Sequence, residues 1–129
     1  MKALRTAILI LSALWELVRY ELLLRAGGFR SIQENMRRPV RRSRLVSGIA
    51  EAEICQAVGW ALCLYWKPVL CLQRSVATAR LLRKQRLDAR VVVGCRPEPF
   101  VSHAWVELAG RVVNDSQQYK TMLPPLLQL

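Results

Sequence analysis

The sequence predicts an α+β fold in which three helices are followed by a three-stranded antiparallel sheet. Up to about residue 85, apolar residues recur at steps of three and four, which is typical of amphipathic helices. From residue 89 onward the segments are short, β-branched and alternating, which is typical of strands. A chain of 129 residues with 53% hydrophobic residues is long enough to form one compact domain with its own core.

The N-terminal segment is predicted to be an amphipathic helix that ends near Ala26, because Gly27 and Gly28 interrupt the pattern. Lys2 and Arg5 ahead of an apolar run resemble a signal peptide. Charged residues interrupt that run, however, well before the ~20 apolar residues that a membrane span needs. We therefore expect the helix to pack against this fold or a partner protein, with no membrane association. Its predicted apolar face consists of Leu4, Ile8, Leu11, Trp15, Val18 and Leu22.

Residues 29–44 are predicted to form a basic connector, which with the first helix makes up residues 1–44, ahead of a core at residues 45–129. Two interpretations stay open for this connector: a solvated link, or a strip that docks an anion or a partner. The whole chain carries 20 Lys and Arg against 9 Asp and Glu, so its net charge of +11 attracts nucleic acid, anionic lipid or acidic peptide. The connector residues are Arg30, Arg37, Arg38, Pro39, Arg41, Arg42 and Arg44.

A second helix is predicted over residues 45–65, and a third from just after Pro68 to about residue 85. Cys71 then falls in the first turn of the third helix, where the positive end of the helix dipole favours a thiolate. Cys55 and Cys63 lie in mid-helix and lack that advantage. Because the chain contains no CxxC pair, we predict free thiols in a reducing compartment, and no metal site. The predicted apolar stripes are Val46, Ala50, Ile54, Ala57, Ala61 and Leu64 in the second helix, and Leu72, Val76, Ala79 and Leu82 in the third.

The sheet is predicted from strands at residues 89–94, 100–108 and 111–114, and a polar tail follows. His103, the only histidine, shares a face of the second strand with Trp105, while Ala104 and Val106 lie on the cleaner apolar face. His103 is therefore directed away from the core face. Two interpretations are open: a general base, or a half-buried histidine held by a hydrogen bond.

The acid that would orient this imidazole depends on the register of the last hairpin. A two-residue turn pairs Leu108 with Arg111 and brings Asn114 onto the face of His103. A three-residue loop brings Asp115 there instead. Either residue type can orient an imidazole, so the pattern leaves both open.

Residues 71–115, CLQRSVATARLLRKQRLDARVVVGCRPEPFVSHAWVELAGRVVND, resemble the lasso-peptide leader peptidases, which are microcin-type processing proteases with a transglutaminase-like core. The similarity rests on CLxRS at residues 71–75, on LLR, on ARVVVG, on PF…HAWVEL and on GRVVND, taken together. The resemblance extends over the N-terminal half of the chain. There the family also has a long apolar helix, a basic link and a helix that leads into the cysteine.

The resemblance implies a transglutaminase/papain-like fold with Cys71 as nucleophile, His103 as base and Asp115 as orienting acid, and hence the three-residue loop. It further implies a cytoplasmic bacterial enzyme, without cofactor, that hydrolyses the bond between leader and core of a precursor peptide. A separate cyclase would then close the ring. The chain resembles the split form of the family, so a separate leader-binding protein is an expected partner.

Several secondary interpretations accompany this one. Arg74 and Trp105 are candidates for contacting substrate or supporting the site, and Gln56 is a distant candidate for a second oxyanion donor beside the Cys71 N–H. An acyl transferase would use the same three residues. A scaffold or a nucleic-acid-binding protein is the alternative outside catalysis, but the arginines lack an interleaved aromatic platform, so no nucleic acid is expected.

Overall fold

The computed structural model describes residues 2–41, 49–98 and 100–129, and the α+β class predicted from the sequence is confirmed in them. The helices are α1 (Lys2–Arg37), α2 (Glu51–Leu64), α3 (Cys71–Arg83) and α4 (Gln118–Met122). The strands are β1 (Ala89–Pro97), β2 (Phe100–Leu108), β3 (Arg111–Val112) and β4 (Pro125–Gln128). None of the helices in these ranges is long and apolar enough to cross a membrane.

The sheet has one strand more than predicted. Its order is β3-β2-β1-β4, and each neighbouring pair is antiparallel. The long β1–β2 hairpin runs from the pair Ala89 and Leu108 to the pair Pro97 and Phe100. β4 lies on the other side of β1 and comes from the segment predicted as a polar tail. A four-residue strand opening on a proline gives almost no local signal, although proline is tolerated at the first position of an edge strand.

The first helix does not end at Ala26, so the predicted connector is wrong over residues 29–37. Helical structure continues to Arg37 across a kink, where Gly28 has φ of 65° in the left-handed region that favours glycine. Beyond the kink the chain folds back, since Arg19 donates a hydrogen bond of 2.9 Å to Asn35. In a straight helix these two residues would be about 24 Å apart. The predictions for Arg42, Arg44 and Val46 concern positions outside the described residues.

The buried face of α1 also differs from the predicted one. Leu4, Leu11, Trp15 and Leu22 are 53–65% exposed, so this part of the predicted stripe does not pack into the fold. Packing against a partner protein stays a prediction. The residues that α1 buries ahead of the kink are Leu9, Ala13, Glu16, Leu17 and Tyr20.

Glu16 is the reason for this rotation of α1. Its carboxylate is buried and lies 2.7 Å from Arg80 Nε and 3.0 Å from Lys84 Nζ, both at the far end of α3. A buried charge is tolerated only when it is paired and hydrogen-bonded, so this cluster fixes which face of α1 meets α3.

The main core lies between the helices and one face of the sheet. Val76, Ala79 and Leu82 of α3 are buried there, as their spacing predicted, and Ala104 and Val106 of β2 complete the contact. The opposite face of the sheet carries a smaller cluster of Val92, Trp105, Val112 and Leu123. Both helix starts fall later than predicted, α2 at residue 51 and α3 at Cys71 itself.

Candidate active site

A hydrogen-bonded His–Asp pair joins the middle of β2 to the segment that follows β3. His103 Nε2 is 2.7 Å from Asp115 Oδ2, and the two side chains are only 19% and 20% exposed. A carboxylate only accepts, so Nε2 of the imidazole carries the proton that is donated to Asp115. Nδ1 is then the basic nitrogen of the ring.

Asp115 reaches His103 by a route that the strand pattern did not predict. Leu108 pairs with Arg111, so the turn has two residues and the expected three-residue loop is wrong. Ala109 and Gly110 both have positive φ, 52° and 80°, as a two-residue hairpin turn requires. A strand in this register would direct Asn114 toward the face of His103, but β3 ends at Val112.

Asn114 explains why the strand stops. Its Oδ1 accepts the Val106 N–H at 2.8 Å, in place of a backbone carbonyl, and its Nδ2 lies 3.4 Å from Ser75 Oγ. The backbone therefore leaves the ladder, and the next residue, Asp115, turns toward His103. Asn114 was a candidate orienting residue, and its contacts give it a positioning role instead.

Asp115 is also tied to the first turn of α3. Its Oδ2 accepts a second hydrogen bond, of 2.6 Å, from Arg74 Nη2, and its Oδ1 accepts the Ser116 N–H at 2.8 Å. Burial by itself raises the pKa of Asp115, but the bonds from His103 and Ser116 and the charge of Arg74 outweigh burial and hold that pKa below its ordinary value. Asp115 is therefore a carboxylate at neutral pH.

Cys71 is the first residue of α3, and Leu70 before it has the extended backbone of an N-cap. The thiol is half-buried and free. The Arg74 N–H bonds to the Leu70 carbonyl at 3.0 Å and closes the first turn, so the N–H groups of residues 71–73 precede the helical ladder. Arg74 lies one turn from Cys71, and its side chain links the first turn of α3 to the His103–Asp115 pair.

Aromatic side chains form the wall behind His103. The ring of Tyr119 lies 4.0 Å from the imidazole, centroid to centroid, and that of Trp105 lies 6.4 Å away. Trp105 is buried and donates its indole N–H to Glu107 at 2.9 Å. It packs over Gly94, where a Cβ would lie 2.5 Å from the indole ring. Tyr119 had no signal in the sequence, because it falls in the segment predicted as tail.

Two of the other three thiols, Cys55 and Cys63, differ from Cys71 in their surroundings. Cys55 lies within α2 with its Sγ 3.5 Å from the Val113 carbonyl oxygen. Burial, followed by the charge of Glu51, raises the pKa of the Cys55 thiol, and Arg74 offsets only part of that rise. Cys63 is exposed on α2, as is Gln56, the distant candidate for an oxyanion donor. Across residues 2–41, 49–98 and 100–129, no three His, Cys, Asp or Glu side chains are grouped to hold a metal ion.

Residues 14–128 match the Transglutaminase-like superfamily, and the chain belongs to this family. This confirms the transglutaminase-like core that the resemblance implied. Among characterised proteins, the chain is similar to the Microcin J25-processing protein McjB of Escherichia coli, with 39% identity over 59 residues. The match covers 46% of this chain and 28% of that relative, and it bears out the resemblance to microcin-type processing proteins. No solved structure matches the chain.

Proposed function

We propose that this protein is a cysteine peptidase that removes the leader from a lasso-peptide precursor. The observation that carries the proposal is the His103–Asp115 pair, held by Arg74 beside the helix start that bears Cys71. A thiol at a helix N-terminus near an oriented imidazole is the arrangement that activates a cysteine nucleophile.

The proposed reaction begins when His103 Nδ1 takes the proton of the Cys71 thiol. The thiolate attacks the carbonyl carbon of the scissile peptide bond, and the Cys71 N–H stabilises the oxyanion that forms. The imidazolium donates its proton to the leaving amine, which departs as the new N-terminus of the core. Water then gives a proton to Nδ1 and attacks the thioester, releasing the leader as a free acid and restoring the thiol.

Asp115 acts through His103 in this scheme. It keeps the Nε2 proton in place, so that Nδ1 faces the reaction, and its negative charge stabilises the imidazolium. Arg74 holds the same carboxylate oxygen and limits its movement. The wall of Trp105 and Tyr119 reduces access of water to this hydrogen bond, which strengthens it.

The substrate is inferred from similarity. The relative from Escherichia coli is a microcin-processing protein by its name, and a precursor peptide is the corresponding substrate for this chain. We further propose that a separate leader-binding protein presents the precursor, and that a separate cyclase uses the freed amine.

The test is mass spectrometry of a candidate precursor incubated with the protein and the leader-binding partner. We expect one cut that releases the leader as a free acid, and no cut with Cys71→Ala. Cys63→Ala is the matched control, because it removes an exposed thiol outside the site. A cut that survives in Cys71→Ala, or a leader released as an amide of an added amine, would contradict the proposed hydrolysis.

A further inference from the structure

A second concave site lies at the other end of α3. A cleft of about 540 Å³ is bounded by the end of α1, the turn between α3 and β1, and the edge strand β4. It is about 18 Å from Cys71, given the length of α3. The guanidinium groups that line it belong to Arg37, Arg38, Arg83, Arg86 and Arg90.

The charge of this arginine cleft is not neutralised from within. Asp88 is the acidic side chain of the lining, and it lies 3.7 Å from Arg90. The five arginines outnumber the negative charges of the lining, even when a carboxylate at Leu129 is counted with Asp88. Arg83, at its base, donates hydrogen bonds of 2.8, 2.8 and 3.0 Å to backbone oxygens, the last of them that of Leu129, and the charge of Asp88 also acts on it. An anionic ligand would complete this site.

Arg86 is held in a conformation that its side chain disfavours. α3 ends in a Schellman motif, in which the Leu87 N–H bonds to the Leu82 carbonyl and the Arg86 N–H to that of Arg83. The residue at the turn of this motif has positive φ and is usually glycine, whereas here it is Arg86 with φ of 63°. Backbone strain of this kind clusters where a particular side chain is needed, and the side chain of Arg86 lines the cleft.

The wall of the cleft opposite α1 is an open sheet edge. β4 ends the sheet order, and no other strand of the described residues pairs with its outer side. Leu129 and Val91 exchange both backbone hydrogen bonds, so by the antiparallel alternation the N–H and C=O of Gln128 are directed away from β1. Gln128 lines the cleft.

These features favour a peptide over a nucleic acid. The non-polar part of the lining is aliphatic, from Met36, Val40, Leu87 and Leu127, and it offers no aromatic ring on which a base could stack. An open backbone edge beside apolar side chains is instead suited to adding a strand.

We propose that the arginine cleft binds an acidic peptide segment in an extended conformation, as an additional strand on β4. Acidic side chains on one face of that strand would pair with the arginines. The proposal goes beyond the peptidase activity, because the cleft lies at the opposite end of α3 and binding needs no turnover.

The test is fluorescence anisotropy with the full chain carrying Cys71→Ala, so that binding is measured without cleavage. The probe is a fluorescein-labelled peptide of about eight residues in which Glu and Thr alternate. We expect Arg38→Ala with Arg86→Gly to weaken binding at least about tenfold. Glycine suits the backbone at position 86 and Arg38 is exposed, so the double variant should stay folded, which its thermal unfolding temperature checks. Lys2→Ala with Arg25→Ala removes the same charge from exposed positions outside the cleft and should change binding less than about twofold.

Two altered probes complete the test. N-methylation of alternate peptide bonds removes the backbone donors of one edge and should abolish binding, as should replacing every Glu by Gln. Equal losses in both double variants, or full binding of the N-methylated peptide, would overturn the proposal. So would tighter, cleft-dependent binding of an oligothymidylate of equal charge, which would identify a nucleic-acid site.

Discussion

Replacing Asp115 by Asn isolates the charge of the acid from its geometry. In the wild-type chain a single oxygen, Oδ2, accepts both from His103 Nε2 at 2.7 Å and from Arg74 at 2.6 Å. In Asp115→Asn the amide oxygen can take this position and accept both bonds. The imidazole then keeps its tautomer, and the losses are the negative charge and the hydrogen bond from the Ser116 N–H, which the amide nitrogen at the Oδ1 position cannot accept.

The size of that loss follows from Coulomb's law. Opposite unit charges about 4 Å apart attract by about 4 kcal/mol at an effective dielectric constant of about 20. His103 and Asp115 are each about one-fifth exposed, so solvent screens part of this attraction. Arg74, left without its anion, would also disfavour an imidazolium nearby. We expect the rate of precursor cleavage to fall about 10²- to 10³-fold.

Two assays check this expectation. Single-turnover cleavage measures the chemical step, and peptide mapping of iodoacetamide-treated protein measures the reactivity of the Cys71 thiol without any substrate. Both should decline, while the variant still unfolds cooperatively at neutral pH, at a lower temperature than wild type because the stabilising charge of Asp115 is lost. Cleavage within about threefold of wild type, with a folded variant, would falsify the assignment of Asp115.

Three further predictions concern stability, pH and the choice of thiol. Gly94→Ala places a methyl group 2.5 Å from Trp105, so we expect the free energy of unfolding to fall by about 1–3 kcal/mol in urea titrations, and an unchanged midpoint would contradict the packing described. The pKa of Asp115 is lowered in the folded state, so its contribution to stability is present above its ordinary value of 3.8 and is lost as pH falls through the lower folded value. The difference in unfolding free energy between wild type and Asp115→Asn should therefore shrink as the pH is lowered below about 4, and a difference that grows would reverse the sign of this linkage. Cys55→Ala and Cys63→Ala should each keep cleavage activity, and loss of turnover in a folded variant of either would show that the nucleophile is another thiol.

The sequence predicted well those elements whose burial is decided by neighbours along the chain. The buried face of α3 and the alternation of β2 follow from spacing, and the structure places Val76 and Ala104 in one core as expected. The position of Cys71 at a helix start followed from Pro68, since proline cannot continue a helix. These constraints act between residues that are close in sequence, so the spacing of residue types is enough to predict them.

Two of the errors share a different cause, which is a polar contact between distant parts of the chain. The stripe of α1 was assigned from hydropathy, but the buried face is set by Glu16 with Arg80 of α3, 64 residues away. Hydropathy treats a glutamate as exposed, and only its partner makes it a core residue.

The route to Asp115 shows how such a contact changes a site. The strand register correctly relates turn length to the face of each residue as long as the strand continues. For the two-residue turn that the structure has, it predicted Asn114 on the face of His103. The strand does not continue, because Asn114 uses its side chain to take the place of a backbone acceptor for Val106. One side chain thus ends β3 and brings the next residue to His103. The family resemblance gave the correct neighbour of His103 with the wrong loop, whereas the strand geometry gave the correct loop with the wrong neighbour. Both are reconciled once Asn114 is understood as the residue that places Asp115.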